Sequence, residues 1–220
     1  MPPPPCFADR SEAGRRLASA LAAYRDEDPL VLAIPRGGVV VAAEVACALE
    51  APLDVIVVRK VGMPFEPEMA VGAVGPGGVL LLDESLHLEP KAIDRVVEKE
   101  RQEMTRRIRR YRGQEGFPDV ERRTVLIVDD GLATGWTARA AVQAVRDRHP
   151  RRIVVAVPVA PPDTLKELAA SADDIVCLET PDPFLAVGYW YQRFDPVSDA
   201  DVEKTLRTAP GSGPQSRAES

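Results

Sequence analysis

The stretch Val125-Leu126-Ile127-Val128-Asp129-Asp130-Gly131-Leu132-Ala133-Thr134-Gly135-Trp136-Thr137 decides how the rest of the chain is read. Val125 to Val128 form an apolar run that predicts a buried strand. Asp129 and Asp130 stand where the strand ends, and a loop of small residues follows. From Ala138 the apolar residues Ala141, Val142 and Val145 recur at helical spacing. A strand, an acidic pair, a Gly/Thr loop and a helix suit a sugar phosphate. The amides at a helix N-terminus attract phosphate, and Thr134 and Thr137 add hydroxyl donors. The acids do not favour phosphate themselves; they suit ribose hydroxyls, or Mg²⁺ held through water.

Upstream, Leu30 to Ile34 is a second apolar run, ending in Pro35-Arg36-Gly37-Gly38. It predicts a buried strand, a tight loop and a helix from about Val39 to Leu49. Glycines let backbone approach a ligand, and Arg36 contributes a fixed cation with several donors. The loop has the chemistry of an anion site. Asp54 to Val58 predicts the next strand, with Arg59 and Lys60 at its end. Alternation turns these two to opposite faces, so one of them, Lys60, is taken to reach a ligand. Val61 to Ala73 lacks regular pattern and predicts a long loop, of a length that is uncommon unless functional or disordered. Ala70–Val74 and Val79–Leu82, around Gly75-Pro76-Gly77-Gly78, predict a β-hairpin.

Further on, Leu88 to Tyr111 predicts a long charged helix. Its five arginines in seven positions, Arg106 to Arg112, read as a solvated face near a helix C-terminus. His87 reads as a surface residue on the connection before it. Helix, strand, helix and strand then follow to about Leu178. This alternation predicts an α/β fold: a parallel sheet of about five strands with helices on both faces. Ligands in such sheets bind at the C-terminal strand ends, where both Arg36-Gly37-Gly38 and Asp129-Asp130 fall.

The remaining composition narrows the class. Of 220 residues, 45% are apolar and 28% charged, which fits a soluble protein. The net charge of −6 gives no global attraction for nucleic acid. No apolar run reaches the length of a membrane span, and the N-terminus has no secretory pattern. Cys6, Cys47 and Cys177 match neither a metal-ligand spacing nor a disulfide framework, so a cytoplasmic setting is expected. Cys47 and Cys177, in apolar surroundings, read as core thiols. One domain is expected over residues 1–206, with a disordered tail over 207–220.

The stretch 125–137 resembles the signature of type I phosphoribosyltransferases: four hydrophobic residues, two acids, small residues and a Thr-Gly-x-Thr ending. The resemblance covers roughly residues 28–180 and implies the family's Rossmann-like core, a β-hairpin flap and a small hood from residues 1–27 and 181–206. It implies a Mg²⁺-dependent transfer of the phosphoribosyl group of phosphoribosyl pyrophosphate to a small-molecule acceptor, with a place in nucleotide metabolism. Gly131, Ala133, Thr134, Gly135, Trp136 and Thr137 would hold the 5-phosphate. Asp129 and Asp130 would hold the ribose hydroxyls and the metal, and Arg36, Gly37, Gly38 and Lys60 the pyrophosphate, with Asp129, Asp130 and Lys60 counted as catalytic. Trp190 and Tyr191, with Phe184 and Tyr189, would line the hood and stack on a base; the same aromatics equally read as an arm pinned to the core. The family often forms homodimers.

Two departures matter. Beyond Lys60 the flap carries no Lys, Arg or His, which leaves the acceptor open. The N-terminal Phe7-Ala-Asp-Arg-Ser-Glu-Ala-Gly-Arg-Arg-Leu-Ala resembles an uncharacterised bacterial branch. Two alternatives stand beside the transferase: a regulator that binds phosphoribosyl pyrophosphate without turnover, and a phosphate-ester or pyrophosphate hydrolase on the same scaffold. For the hydrolase, Ser85 and His87 form only a weak pairing.

Overall fold

The computed structural model describes residues 4–86, 89–113 and 116–209. Five parallel strands form the main sheet: β1 (Leu30–Ala33), β2 (Leu53–Val55), β6 (Thr124–Val128), β7 (Arg152–Val159) and β8 (Asp174–Glu179). Their order is β2-β1-β6-β7-β8. The intervening β3 (Arg59–Gly62), β4 (Ala70–Val74) and β5 (Leu80–Leu82) form a separate antiparallel sheet in that order.

The strands read as continuous apolar runs because both faces are covered. Alternation sends Val31, Ala33, Leu126, Val128, Val154 and Ala156 to one face, against helices α1 (Arg10–Ala20) and α2 (Gly38–Leu49). Leu32, Val125, Ile127, Ile153, Val155 and Val157 go to the other, against α4 (Trp136–Arg146) and α5 (Pro162–Leu168). Each such buried Val, Leu or Ile side chain contributes about 1.5–3 kcal/mol. α3 (Pro90–Arg112) lies along the small sheet with Ile93, Val97, Met104 and Tyr111 buried, and it also meets α6 (Asp199–Thr208).

The topology positions the site. From β1 the chain crosses through α2 to β2 on one side; the next sheet strand, β6, lies on the other side of β1. Strand order reverses there, which opens a crevice at the C-terminal ends of β1 and β6. The register pairs Ala33 with Val128, so the loops after both strands leave the sheet side by side.

Several expectations change. Arg59 and Lys60 do not end the second sheet strand, which stops at Val55; they lie within β3. Ile56, Val57 and Val58 stay buried as the chain passes between sheets, so no break in polarity marks the change. The expected long loop shrinks to residues 63–69, closed by the Met63 amide on the Met69 carbonyl at 2.9 Å. α3 begins at Pro90, capped by Glu89; His87 and Leu88 lie outside the described residues. The arginines of α3 sit on a half-exposed face but are neutralised internally: Arg106 and Arg107 by Glu103, Arg110 by Glu203 and Asp199, and Arg112 by Asp54. α6 runs to Thr208, past the expected boundary at 206, and residues 210–220 lie outside the described residues. Among the described residues no helix is long and apolar enough to cross a membrane.

Cys47 is exposed, not a core thiol, because the buried face of α2 runs through Val41, Ala42, Val45, Ala46 and Leu49. Cys177 is half-buried, and burial pushes its thiol up to about 11 from 9.0. At pH 8 this leaves Cys177 with about a hundredfold less thiolate than an ordinary thiol. Mass spectrometry after brief iodoacetamide treatment of the native protein should find Cys47 labelled well before Cys177; the reverse order would contradict this packing.

Candidate functional site

Two loops meet at the reversal point. The turn Pro35–Gly37, whose Pro35–Arg36 peptide is cis, leads directly into α2. Asp129 and Asp130 step off β6 beside it. The contact is close enough that a Cβ on either glycine would collide with the acids as they stand. A Cβ on Gly37 would fall 1.9 Å from Asp130 Oδ2, and one on Gly38 would fall 2.8 Å from Asp129 Cα. Thus Gly37, Gly38, Asp129 and Asp130, predicted from two separate stretches, form one cluster.

Within the pair, the Asp130 amide donates to Asp129 Oδ1 at 2.8 Å. Burial holds the Asp129 carboxyl well above the usual carboxylate range, and the neighbouring Asp130 charge raises it further. Asp130 is held by Arg10 of α1 and Tyr191 of the C-terminal arm. Arg10 Nε donates to Asp130 Oδ2 at 2.7 Å, with the two side chains only 11% and 14% exposed. The Tyr191 hydroxyl donates to the Asp130 carbonyl at 2.6 Å. Burial, and then the Asp130 charge, raise the Tyr191 phenol, so it stays a neutral donor.

The loop after the acids is fixed along its far side. Thr164 Oγ1 donates to the Ala133 carbonyl at 2.7 Å. Gly135 has φ 70° and caps α4, a conformation that disfavours any side chain. Val187 of the C-terminal arm covers Gly131, where a Cβ would lie 2.6 Å from Val187 Cγ1. Among the described residues, the amides of Ala133 through Thr137 donate to no protein group. Thr134 is exposed and Thr137 half-buried, and neither hydroxyl is used. Trp136 packs its ring under the Arg139 guanidinium at 4.5 Å. The helix N-terminus therefore presents free donors beside the acids, an arrangement that binds oxyanions.

The other predicted residues separate from this cluster. Arg36 points to α6, with Nη1 3.8 Å from Asp199 Oδ1. Lys60 Nζ donates to the Glu68 carbonyl at 3.2 Å and lies 3.8 Å from its carboxylate, so its contacts stay within the flap. Trp190 and Tyr191 are 2% and 4% exposed, packed with Phe7, Ala13 and Val159. No ring face is left to stack on a base, so the stacking role expected of these two is corrected: they pin the arm. Of that aromatic group Tyr189 is the exposed member.

Arg10 is the residue that sequence reasoning passed over as a ligand-site group. Its only signal was its place in Phe7-Ala-Asp-Arg, where Asp9 caps α1 by accepting the Glu12 amide at 2.9 Å. As for a metal, among the described residues no group of three His, Cys, Asp or Glu could hold one. Two adjacent carboxylates still fit Mg²⁺, which takes one or two carboxylates and completes its shell with water and substrate phosphates.

Residues 9–192 match the profile of the phosphoribosyl transferase domain. The chain belongs to the phosphoribosyl transferase family. The family's putative phosphoribosyl transferase Rv0571c of Mycobacterium tuberculosis (strain ATCC 25618 / H37Rv) is 47% identical over 208 residues, covering 92% of this chain and 47% of that protein. The chain thus spans about half the length of the curated relatives it matches. The crystal structure of TT1426 from Thermus thermophilus superposes with a TM-score of 0.76 at 46% identity, covering 91% of this chain and 97% of that one. A shorter match joins 84 residues, 37% of this chain, to 40% of the uracil phosphoribosyltransferase of Lactobacillus gasseri at 37% identity.

Proposed function

We propose that this family member transfers the phosphoribosyl group of phosphoribosyl pyrophosphate to a small nitrogenous acceptor in the cytoplasm. The observation that carries the reading is the apposition of the Gly37-Gly38 turn to Asp129-Asp130 beside the free amides of Ala133 to Thr137. A ligand spanning these groups has phosphate at one end, vicinal hydroxyls in the middle and a second anion beyond. The amides of Ala133 to Thr137, with the Thr134 and Thr137 hydroxyls, take the 5-phosphate. Asp129 and Asp130 accept from the ribose hydroxyls. The backbone at Gly37 and Gly38 faces the pyrophosphate, and Arg36 is close enough along the chain to turn from Asp199 toward it. Lys60 joins by movement of the flap.

In the reaction the C1–O bond breaks and pyrophosphate leaves with its electron pair. The acceptor nitrogen forms the new bond to C1 and gives up its proton to solvent. Positive charge builds on the ribose in between, so catalysis is chiefly positioning and charge stabilisation. Asp129 lies where a carboxylate can face that charge. Asp129 and Asp130, directly or through water, would hold Mg²⁺, which would supply neutralisation of the pyrophosphate. The cytoplasmic setting is supported by three free thiols, and a homodimer rests on family habit.

Calorimetry with phosphoribosyl pyrophosphate and Mg²⁺ tests the site. Wild type should bind, and the double variant D129N/D130N should bind at least about tenfold more weakly, as expected for losing hydrogen bonds to charged acceptors. Equal binding by the two, or none by either, would sink the assignment. Pyrophosphate release with some member of a panel of bases supports transfer. Binding without release supports a non-catalytic regulator, and phosphate or pyrophosphate formed without any base supports a hydrolase.

A further inference from the structure

The stretch Phe7-Ala8-Asp9-Arg10 lies outside the sheet, yet it reaches the acids. Phe7 is fully buried and pairs with Tyr191 in a parallel bridge. The Gln192 amide donates to the Phe7 carbonyl at 2.8 Å and the Arg193 amide to the Ala8 carbonyl at 3.0 Å, while Arg193 also pairs with Asp9. The N-terminal segment and the arm around Trp190–Arg193 are thereby zipped into one unit. Arg10 projects from it. Its guanidinium lies 3.7 Å above the centre of the Phe194 ring, and Nη1 donates to the Asp195 carbonyl at 2.8 Å. Three restraints, to Asp130, Phe194 and Asp195, fix one arginine.

From this geometry we infer that Arg10 is a positioning residue of the phosphoribosyl site: it holds Asp130 and offsets its charge, so that the acid pair meets the ligand in a fixed orientation. The inference rests on the ligand reading above. Two adjacent carboxylates oppose a ligand that carries phosphate at both ends, and Coulomb repulsion at such range is strong where water is displaced. A buried guanidinium on one acid offsets part of that repulsion. It also fixes the orientation of the carboxylate beside Gly37, through the 2.7 Å hydrogen bond from Nε to Oδ2. The flat fork of Arg suits this task and an ammonium does not, because one group must meet a carboxylate, a carbonyl and a ring face together. The N-terminal segment and the C-terminal arm therefore complete the site as well as cover it.

A thermodynamic cycle over Arg10→Met, Asp130→Asn and the double variant tests this, with affinity for phosphoribosyl pyrophosphate and Mg²⁺ read by calorimetry and folding read by thermal melts. R10M should weaken binding about ten- to a hundredfold, and Arg10→Lys should recover part of the loss. In R10M/D130N, where no unpaired charge remains, binding should return to that of D130N alone. Strictly multiplicative losses, with R10K equal to R10M, would show a merely structural residue and overturn the inference. Wild-type affinity in R10M overturns it as well. No binding by the wild type overturns the ligand reading and this inference together.

Discussion

Gly37→Ala should leave the protein folded but lower its affinity for phosphoribosyl pyrophosphate at least about a hundredfold. Gly37 has φ −60° and ψ −40°, which alanine adopts without strain. The whole cost is therefore steric, and it falls on one place. The new methyl would lie 1.9 Å from Asp130 Oδ2 and 2.6 Å from its Cγ. The carboxylate must swing away, which breaks the 2.7 Å contact to Arg10 and moves the acid beside which the ligand is proposed to lie. Overpacking of this kind costs about 1–3 kcal/mol, too little to unfold a domain of this size. Gly38→Ala makes the instructive contrast. Its methyl would meet Asp129 Cα at 2.8 Å and the Val128 carbonyl at 2.9 Å, which are backbone atoms that cannot rotate aside. G38A should lose more thermal stability than G37A. Calorimetry and melts on both variants decide the matter, and wild-type affinity in G37A would show that the turn does not form part of the site.

The main sheet was legible because it obeys one simple rule. Strands buried on both faces read as unbroken apolar runs, and Leu30–Ile34, Val125–Val128 and Ile153–Val157 stand out as such. Their ends carried the chemistry, and the pairing of β1 with β6 in the structure then set Gly37 beside Asp130. The small sheet was legible only in part. The hairpin of Ala70–Val74 and Leu80–Leu82 stands where it was expected, but β3 is too short to show alternation, and the passage to it from β2 runs through buried residues. Lys60 was misplaced for that reason. Arg10 was hidden for another: its role depends on a contact 120 positions away along the chain, and no local pattern reports such a contact. The aromatic arm was the converse case. Local chemistry makes Trp190 and Tyr191 equally good as a ligand wall or as core, and only burial tells these apart.

Trp190→Ala tests that distinction by its effect on stability. The indole is 2% exposed, stacked on Phe184 at 6.3 Å and edge-on to Tyr189 at 5.8 Å. The Phe7 and Cys6 amides both donate to the Trp190 carbonyl at 3.0 Å, so the same residue also anchors the N-terminal segment. Truncating a buried tryptophan to alanine costs about 3–5 kcal/mol, or roughly 6–20 °C in Tm for a chain of this length. Trp190→Phe should be much milder, because the buried Nε1 has no hydrogen-bond partner to lose and an aromatic ring still fills most of the space. Loosening the arm should also reach the acids. The Tyr191 hydroxyl, the Phe194 ring and the Asp195 carbonyl all lie within five residues of Trp190, and all three steady Asp130 or Arg10. W190A should therefore melt early and bind phosphoribosyl pyrophosphate more weakly when cold, with no selective change toward any one acceptor. A wild-type melting curve combined with a selective rise in acceptor KM would return Trp190 to the wall of the acceptor site.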